Sequence, residues 1–246
     1  MNITSGRDIV KFFQRNMNKW PNKIQNQLYP LTCFMCNQAG HDNLDLCKPC
    51  LDDLIIQGNC CDCCGVELTL TGVSLCGKCI KKRPSFDKIS TLYQYHDSTQ
   101  HLIHSLKYNA KYSCARTLGK LMARHFREHK HQPDALIPVP LHKKRLYQRQ
   151  FNQAEMIAQH IHRDLNITLL NKVCIRHKET QSQSLLNADD RQANLRHAFN
   201  CKIIKNIDSV AIIDDVVTTG STVNELAKTL KKAGVKRVDV WAFARA

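Results

Sequence analysis

Beyond Pro84 the apolar positions follow two rhythms. Short, dense apolar runs at Lys88 to Tyr95, Ala135 to Val139, Leu169 to Ile175, Val210 to Ile213 and Val238 to Ala244 predict strands. Between them, apolar residues three and four apart predict helices. These fall at 99–108, at 114–129 (Leu118, Leu121, Met122, Phe126), at 152–164 (Ala154, Ile157, Ala158, Ile161) and at 222–233 (Val223, Leu226, Ala227, Leu230), the last ending before Gly234. Strands separated by helices predict an α/β domain over 85–246, a parallel sheet with helices on both faces. Near the start, Ile9, Phe12, Phe13, Met17 and Trp20 predict an amphipathic helix within 1–30, terminated by Pro21 and Pro30.

Cysteine usage marks a second unit. Ten of the 13 cysteines lie between Cys33 and Cys79, which sets a module over 31–84 ending after Lys81-Lys82-Arg83. Four C-x-x-C pairs occur there: Cys33/Cys36, Cys47/Cys50, Cys61/Cys64 and Cys76/Cys79. Hairpin-length loops bring each two pairs together as four thiolates, the donor set of tetrahedral Zn²⁺. Cys60/Cys63 offers a competing frame, but Gly65 after Cys64 allows the left-handed turn that aims N–H groups at sulfur, which favours Cys61/Cys64. Sequential pairing is favoured because it closes shorter loops. Two closed four-thiolate sites leave no coordination position for water, so both zincs are expected to be structural, standing in for a core this segment is too small to build.

The 246 residues, 43% hydrophobic, provide ample material for a core and exclude a disordered chain. No apolar run reaches the length of a membrane span, so no membrane insertion is expected. Asp8, Lys11 and Arg15 interrupt the N-terminal apolar residues, which is not a secretory pattern. The expected compartment is therefore the reducing cytoplasm, where cysteines serve as metal ligands or free thiols. The formal charge is +15. Eight thiolates subtract eight and two Zn²⁺ restore four, leaving a basic surface suited to anionic partners.

The stretch richest in chemistry is Val210-Ala-Ile-Ile-Asp214-Asp215-Val216-Val217-Thr218-Thr219-Gly220-Ser221-Thr222. An apolar strand ends in two carboxylates, and a Thr/Gly/Ser loop then opens a helix carrying a capping box, Thr222-x-x-Glu225. The carboxyl end of a strand in an open α/β sheet borders the ligand crevice. Hydroxyls and amides at a helix start suit a phosphate, carboxylates accept from vicinal hydroxyls, and Gly220 permits close approach. A ribose 5-phosphate meets all of these demands.

This segment resembles the phosphoribosyl-pyrophosphate (PRPP) motif of type I phosphoribosyltransferases, and with the four cysteine pairs the chain from about Cys33 onward resembles the ComF family. Further matching stretches are Phe86-Asp87, Lys107, Pro138-Val139-Pro140-Leu141, Arg145, Phe151-Asn152-Gln153, Gln183-x-x-Leu186, Arg191-x-x-Asn194 and Ala198-Phe199. The resemblance implies a phosphoribosyltransferase-like fold in which Asp214 and Asp215 meet the ribose hydroxyls. It also implies that Thr218, Thr219, Gly220, Ser221 and Thr222 hold the 5-phosphate, with Val216 and Val217 in the same PRPP-binding stretch, and that Pro138–Leu141 forms the loop near the pyrophosphate, where Mg²⁺ accompanies PRPP. The family commonly has Arg-Gly-Phe-Asn-Gln where this chain has Arg149-Gln150-Phe151-Asn152-Gln153.

Basic residues cluster in two places. One run is Lys107, Lys111, Arg116, Lys120, Arg124, Arg127 and Lys130; the other is His142-Lys143-Lys144-Arg145-Leu146-Tyr147-Gln148-Arg149-Gln150-Phe151. Cations with interleaved rings suit single-stranded nucleic acid; equally, Arg145 and Arg149 could neutralise a pyrophosphate, and helix lysines could be ordinary solvated surface. Lys107, Lys143, Lys144, Arg145, Arg149, Phe151, Asn152, Gln153 and Arg191 form the candidate nucleic-acid or pyrophosphate set. Three functions follow. The first is a PRPP-binding protein that handles incoming single-stranded DNA, with uptake-machinery proteins as partners, the role the family resemblance implies. The second is a phosphoribosyltransferase acting on a nitrogen nucleophile. The third is a PRPP sensor that contacts a partner through its zinc module.

Overall fold

The structure, a computed structural model, describes residues 30–108, 112–178, 197–203 and 205–246. The N-terminal helix expected within 1–30 and the motif residues Gln183, Leu186, Arg191 and Asn194 lie outside them.

Five parallel strands form the main sheet: β1 (Lys88–Gln94), β2 (Ala135–Pro138), β3 (Thr168–Leu169), β6 (Ser209–Val217) and β7 (Arg237–Arg245), in the order β1-β7-β6-β2-β3. Alternation along the central strand β6 sends Ala211 and Ile213 to one face and Val210 and Ile212 to the other, and each face has its own apolar core. On the first face lie α3 (Asp97–Tyr108), α4 (Tyr112–Arg127) and α6 (Gln153–Leu165), whose apolar stripes meet Leu136, Trp241 and Phe243. Phe126 of α4 stacks on Trp241 with ring centroids 4.3 Å apart. On the second face α7 (Ser221–Lys232) packs Val223, Leu226, Ala227 and Leu230 against Ile137, Val210, Ile212 and Val240.

Two expectations need correction, and one helix was not anticipated. The segment 169–175 is not one strand. Leu169 ends the short β3 of the main sheet, whereas Cys174–Arg176 is β4, which pairs antiparallel with β5 (Phe199–Cys201) in a separate ribbon. Asn171 and Lys172 lie in the turn between them and break the run. Cys174 and Cys201, expected as free thiols, face each other across that ribbon with Cα atoms 4.2 Å apart and are disulfide-bonded. One further helix, α5 (Lys143–Arg149), carries no buried residue, so no apolar period announced it.

The cysteine-rich segment is a tandem repeat. In each half a C-x-x-C turn is followed by a residue at positive φ, Asn37 or Gly65, and closed by an antiparallel bridge, Thr32 to Ala39 or Cys60 to Glu67. Each half then ends in a one-turn helix, α1 (Lys48–Asp52) or α2 (Gly77–Lys81), that starts directly after a cysteine, Cys47 or Cys76.

The two halves straddle the sheet edge. Cys33, Leu44, Leu46 and Leu54 join the core of the first face, and Cys61, Cys63 and Cys79 that of the second. Between them the chain runs beside β1, with Gln57 N–H donating to Leu92 O (2.9 Å), Gln94 N–H to Ile55 O (2.9 Å), and Ile56 bridging Tyr93 antiparallel. The otherwise exposed edge of β1 is thereby covered.

Basic residues of α4 lock the first half in place. Arg116 forks onto Asp45 (2.8 and 2.5 Å), Lys120 donates to Asn43 O (2.7 Å), and Arg124 donates to Asp42 Oδ2 (2.6 Å). These cations are thus partnered within the chain: residues four apart on one helix face meet a loop of acids and carbonyls. Asp45 is 4% exposed, so removing its partner strands a charge. Arg116→Ala should cost about 2 kcal/mol in chemical denaturation, less than a fully buried pair because Arg116 is 33% exposed, and adding Asp45→Asn should recover part of the loss.

Candidate functional site

The carboxyl ends of β6 and β2, with the loops that follow them, define the site. β6 runs without interruption through Asp214 and Asp215 to Val217, because its ladder with β7 continues to Val217 opposite Arg245. The chain then turns through Thr218 and Thr219 to Gly220, whose φ of 77° is the left-handed conformation that favours glycine, and enters α7 at Ser221. Asp214, Val216 and residues 217–223 line an open concavity of about 40 Å³. The predicted capping box does not form. Gly220 occupies the N-cap, the Thr219 hydroxyl accepts from Ser221 N–H (3.3 Å), and Glu225 instead accepts from His197 N–H (2.8 Å), tying down the approach to β5. The first-turn amides of α7 have no intrahelical acceptor, as at any helix start, and the helix dipole adds partial positive charge there.

The two carboxylates are divided by the strand's alternation. Asp214 lines the concavity on the α7 side; Asp215 is buried on the other side, where Lys107 at the end of α3 pairs with its Oδ2 at 2.7 Å. Each also accepts a backbone amide: Asp214 Oδ1 from Asp215 N–H (2.9 Å) and Asp215 Oδ1 from Val216 N–H (3.0 Å). Burial, and then the neighbouring Asp215 charge, raise the Asp214 carboxyl well above the ordinary value, although Lys107 works against this. For Lys107, burial alone would lower the ammonium's pKa, but the two aspartates raise it, so the cation is retained.

Beside Asp214 lies the loop after β2. Val139 N–H donates to Ile213 O (3.0 Å), binding the Pro138–Leu141 turn to β6 one residue before the acids. Asn152 holds the same turn through its side-chain amide on Val139 O (3.0 Å), while its Oδ1 caps α6 at Ala154 N–H (3.1 Å). Gln153 is buried and Phe151 half-buried. His142 caps α5, on which Lys143, Lys144 and Tyr147 are exposed, Tyr147 at 80%. Where the family commonly has glycine, Gln150 ends α5 at φ 63°, so the turn keeps a glycine-like path without glycine.

Two arginines of the site escaped the sequence reading. Arg176, at the end of β4, bridges His142 and lies over the Phe199 ring, 5.6 Å from its centroid. Burial, then Arg145, lower its pKa, and Asp214 opposes them, so Arg176 stands between the basic helix and the acid. Arg245, at the end of β7, donates from Nε to Cys64 O (3.1 Å) and from Nη1 to Val217 O (3.1 Å) and Thr218 O. Neither was visible in the periodicity, because a single arginine closing a strand reads as exposed surface. Phe86-Asp87, by contrast, is structural: Asp87 accepts from Val238 N–H (2.8 Å) and pairs with Lys231 (2.9 Å).

The cysteine sulfurs gather as Cys33, Cys36, Cys47, Cys50 and as Cys61, Cys64, Cys76, Cys79, each foursome within 4.8 Å. A tetrahedral zinc with Zn–S bonds of about 2.3 Å sets its sulfurs roughly 3.8 Å apart, so both sets fit it. The second pair therefore joins the first and the fourth joins the third, and Cys60 stays outside. Backbone N–H groups favour thiolate at each site: burial pushes Cys33 and Cys61 up, but amides of neighbouring cysteines outweigh it, bringing them to about 7 and about 6.

A family model described as "Double zinc ribbon domain" matches residues 24–80. The chain is 41% identical over 194 residues to Competence protein F of Haemophilus influenzae, spanning 76% of this chain and 84% of that one. DNA utilization protein YhgH of Escherichia coli strain K12 is 30% identical, spanning 88% and 97%, and Competence protein ComFC of Streptococcus pneumoniae is 23% identical, spanning 87% and 100%. Among solved structures, purine phosphoribosyltransferase from Pyrococcus horikoshii Ot3 overlaps 54% of this chain and 83% of its own, at 17% identity and a TM-score of 0.31. Among the described residues no helix is long and apolar enough to cross a membrane.

Two outcomes are expected. Cys60→Ser should retain two zinc equivalents by elemental analysis, whereas Cys61→Ser should retain one. Asp214→Asn should raise the melting temperature. The raised carboxyl penalises the folded state increasingly as pH climbs from the ordinary aspartate range toward its folded value, so the variant's advantage should be larger at neutral pH than in mild acid.

Proposed function

Because this chain belongs to the ComF family, we propose that it is a PRPP-binding protein that handles single-stranded DNA in the cytoplasm during DNA uptake. The observation that carries the reading is the pairing of a carboxylate at the end of the central strand with an amide- and hydroxyl-lined concavity at the start of α7, within one short segment. Asp214 and Asp215 accept the ribose hydroxyls, and the Thr218–Thr222 loop takes the 5-phosphate at the positive end of the helix dipole. The Pro138–Leu141 turn then lies toward the pyrophosphate, with Arg145 and Arg176 as neutralising cations. Mg²⁺, an oxygen-seeking ion, would arrive on that pyrophosphate. Lys107, 2.7 Å from Asp215 Oδ2, offsets the repulsion between the neighbouring acids in the free protein.

The DNA reading rests on α5. Its Lys143, Lys144 and Tyr147 are exposed close to the pyrophosphate side, combining phosphate neutralisation with a free ring for base stacking. The names of the relatives, competence and DNA utilization proteins, agree with such a role. Phosphoribosyl transfer is a second reading, favoured by the hydrogen bond that binds the Pro138–Leu141 turn beside the acids, as electrostatic stabilisation of a departing pyrophosphate requires. Pyrophosphate release over a panel of amines and bases separates turnover from binding alone.

Calorimetry with PRPP and Mg²⁺, with and without a short oligonucleotide, tests the principal reading. The wild-type chain should bind PRPP, and Asp215→Asn should weaken binding at least tenfold with zinc content unchanged. Oligonucleotide affinity should fall as salt rises, with a shallower salt dependence in the Lys143→Ala/Lys144→Ala variant. Retained PRPP affinity in Asp215→Asn would refute the assignment of the pocket.

A further inference from the structure

Arg245 touches two parts of the molecule that are far apart in sequence. Its Nε donates to the carbonyl of Cys64, a ligand of the second four-cysteine site, and its Nη1 donates to the carbonyls of Val217 and Thr218, where the β6–α7 loop begins. The same region of backbone is held again by Ala246 N–H on Val217 O (3.0 Å). No described peptide bond is cis. In a planar trans peptide the N–H points opposite to its C=O. Gathering the Val217 and Thr218 carbonyls toward Arg245 therefore turns the N–H groups of Thr218 and Thr219 away from it, and these two residues line the concavity.

Arg245 is half-buried, and the fork of its guanidinium reaches acceptors on both sides at once, which a lysine's single ammonium cannot reproduce. The second four-cysteine site is itself bound to the sheet, with Ile89 N–H donating to Cys63 O (2.8 Å). The Cys61–Cys64 turn thus forms a fixed abutment, and Arg245 is the strut between it and the loop.

We propose that Arg245 is the positioning residue of the anion loop, and that through it zinc occupancy at Cys61, Cys64, Cys76 and Cys79 is thermodynamically linked to phosphate-ester binding at residues 217–222. The inference rests on the reading of that loop as a PRPP phosphate site. Linkage is reciprocal: whatever factor the second zinc adds to ligand affinity, the ligand adds to zinc affinity. The first site, whose cysteines make no contact with this arginine among the described bonds, is not part of the link.

The test uses the full zinc-loaded chain, with PRPP–Mg²⁺ and ribose 5-phosphate as probes. Calorimetry should show Arg245→Gln and Arg245→Lys both weakened at least tenfold for both probes while retaining two zinc equivalents. The equilibrium partition of zinc between the chain and a chromophoric chelator should shift toward the chain on saturating PRPP for one of the two equivalents in the wild type, and for neither in Arg245→Gln. That partition experiment needs only the wild type, so it remains decisive if a variant fails to fold. Wild-type affinity in Arg245→Gln, full rescue by Arg245→Lys, or a wild-type zinc partition indifferent to PRPP would each overturn the inference while leaving the phosphate site intact. A wild-type chain that binds neither probe would overturn the functional reading itself, and the inference with it.

Discussion

Two carboxyl groups on consecutive residues at the end of a buried strand oppose each other's ionisation, and Lys107 offsets that opposition. Its ammonium lies 2.7 Å from Asp215 and is also felt by Asp214, which Arg176 feels in turn. Backbone amides supply further compensation to each carboxylate. What remains uncompensated is concentrated on Asp214, the acid that faces the concavity, and its raised pKa records the burden. A site poised in this way is more comfortable when hydroxyl donors or a cation arrive, which is the usual exchange of stability for function.

The cysteine-rich repeat does more than fold itself. A parallel sheet of five strands leaves β1 with one side unpaired, and the segment between the two ribbons occupies that side while the ribbons grip opposite faces. The formal basicity of the chain reads differently once Arg116, Lys120 and Arg124 are seen to spend their charge on this internal joint. Among the described residues, Lys143 and Lys144 of α5, a helix with no buried residue of its own, are exposed beside the site.

Much of this architecture was written locally and could therefore be read. Val210–Ile213 announced the central strand, though carboxylates do not interrupt an extended backbone and β6 runs on to Val217. The helices with apolar stripes fell within a few residues of expectation, and cysteine spacing with Gly65 favoured the two foursomes that the structure brings together over a Cys60/Cys63 frame. What escaped depended on distant partners. Arg116 meets an aspartate 71 positions away and Arg245 a carbonyl 181 positions away, separations at which no pattern along the chain operates. Glu225 was drawn off its own helix by His197, and Leu169 and Cys174 went to different sheets because a turn intervened that an apolar run disguised.

Gln150 carries one more consequence. A side chain held at positive φ costs on the order of 1 kcal/mol relative to glycine, and that cost falls at the elbow joining α5 to α6. Glycine at an elbow lets it swing; a glutamine confined to one narrow well does not. The exposed basic helix is therefore carried on a stiff outrigger, its bearing relative to α6 fixed by the backbone rather than left to thermal swing.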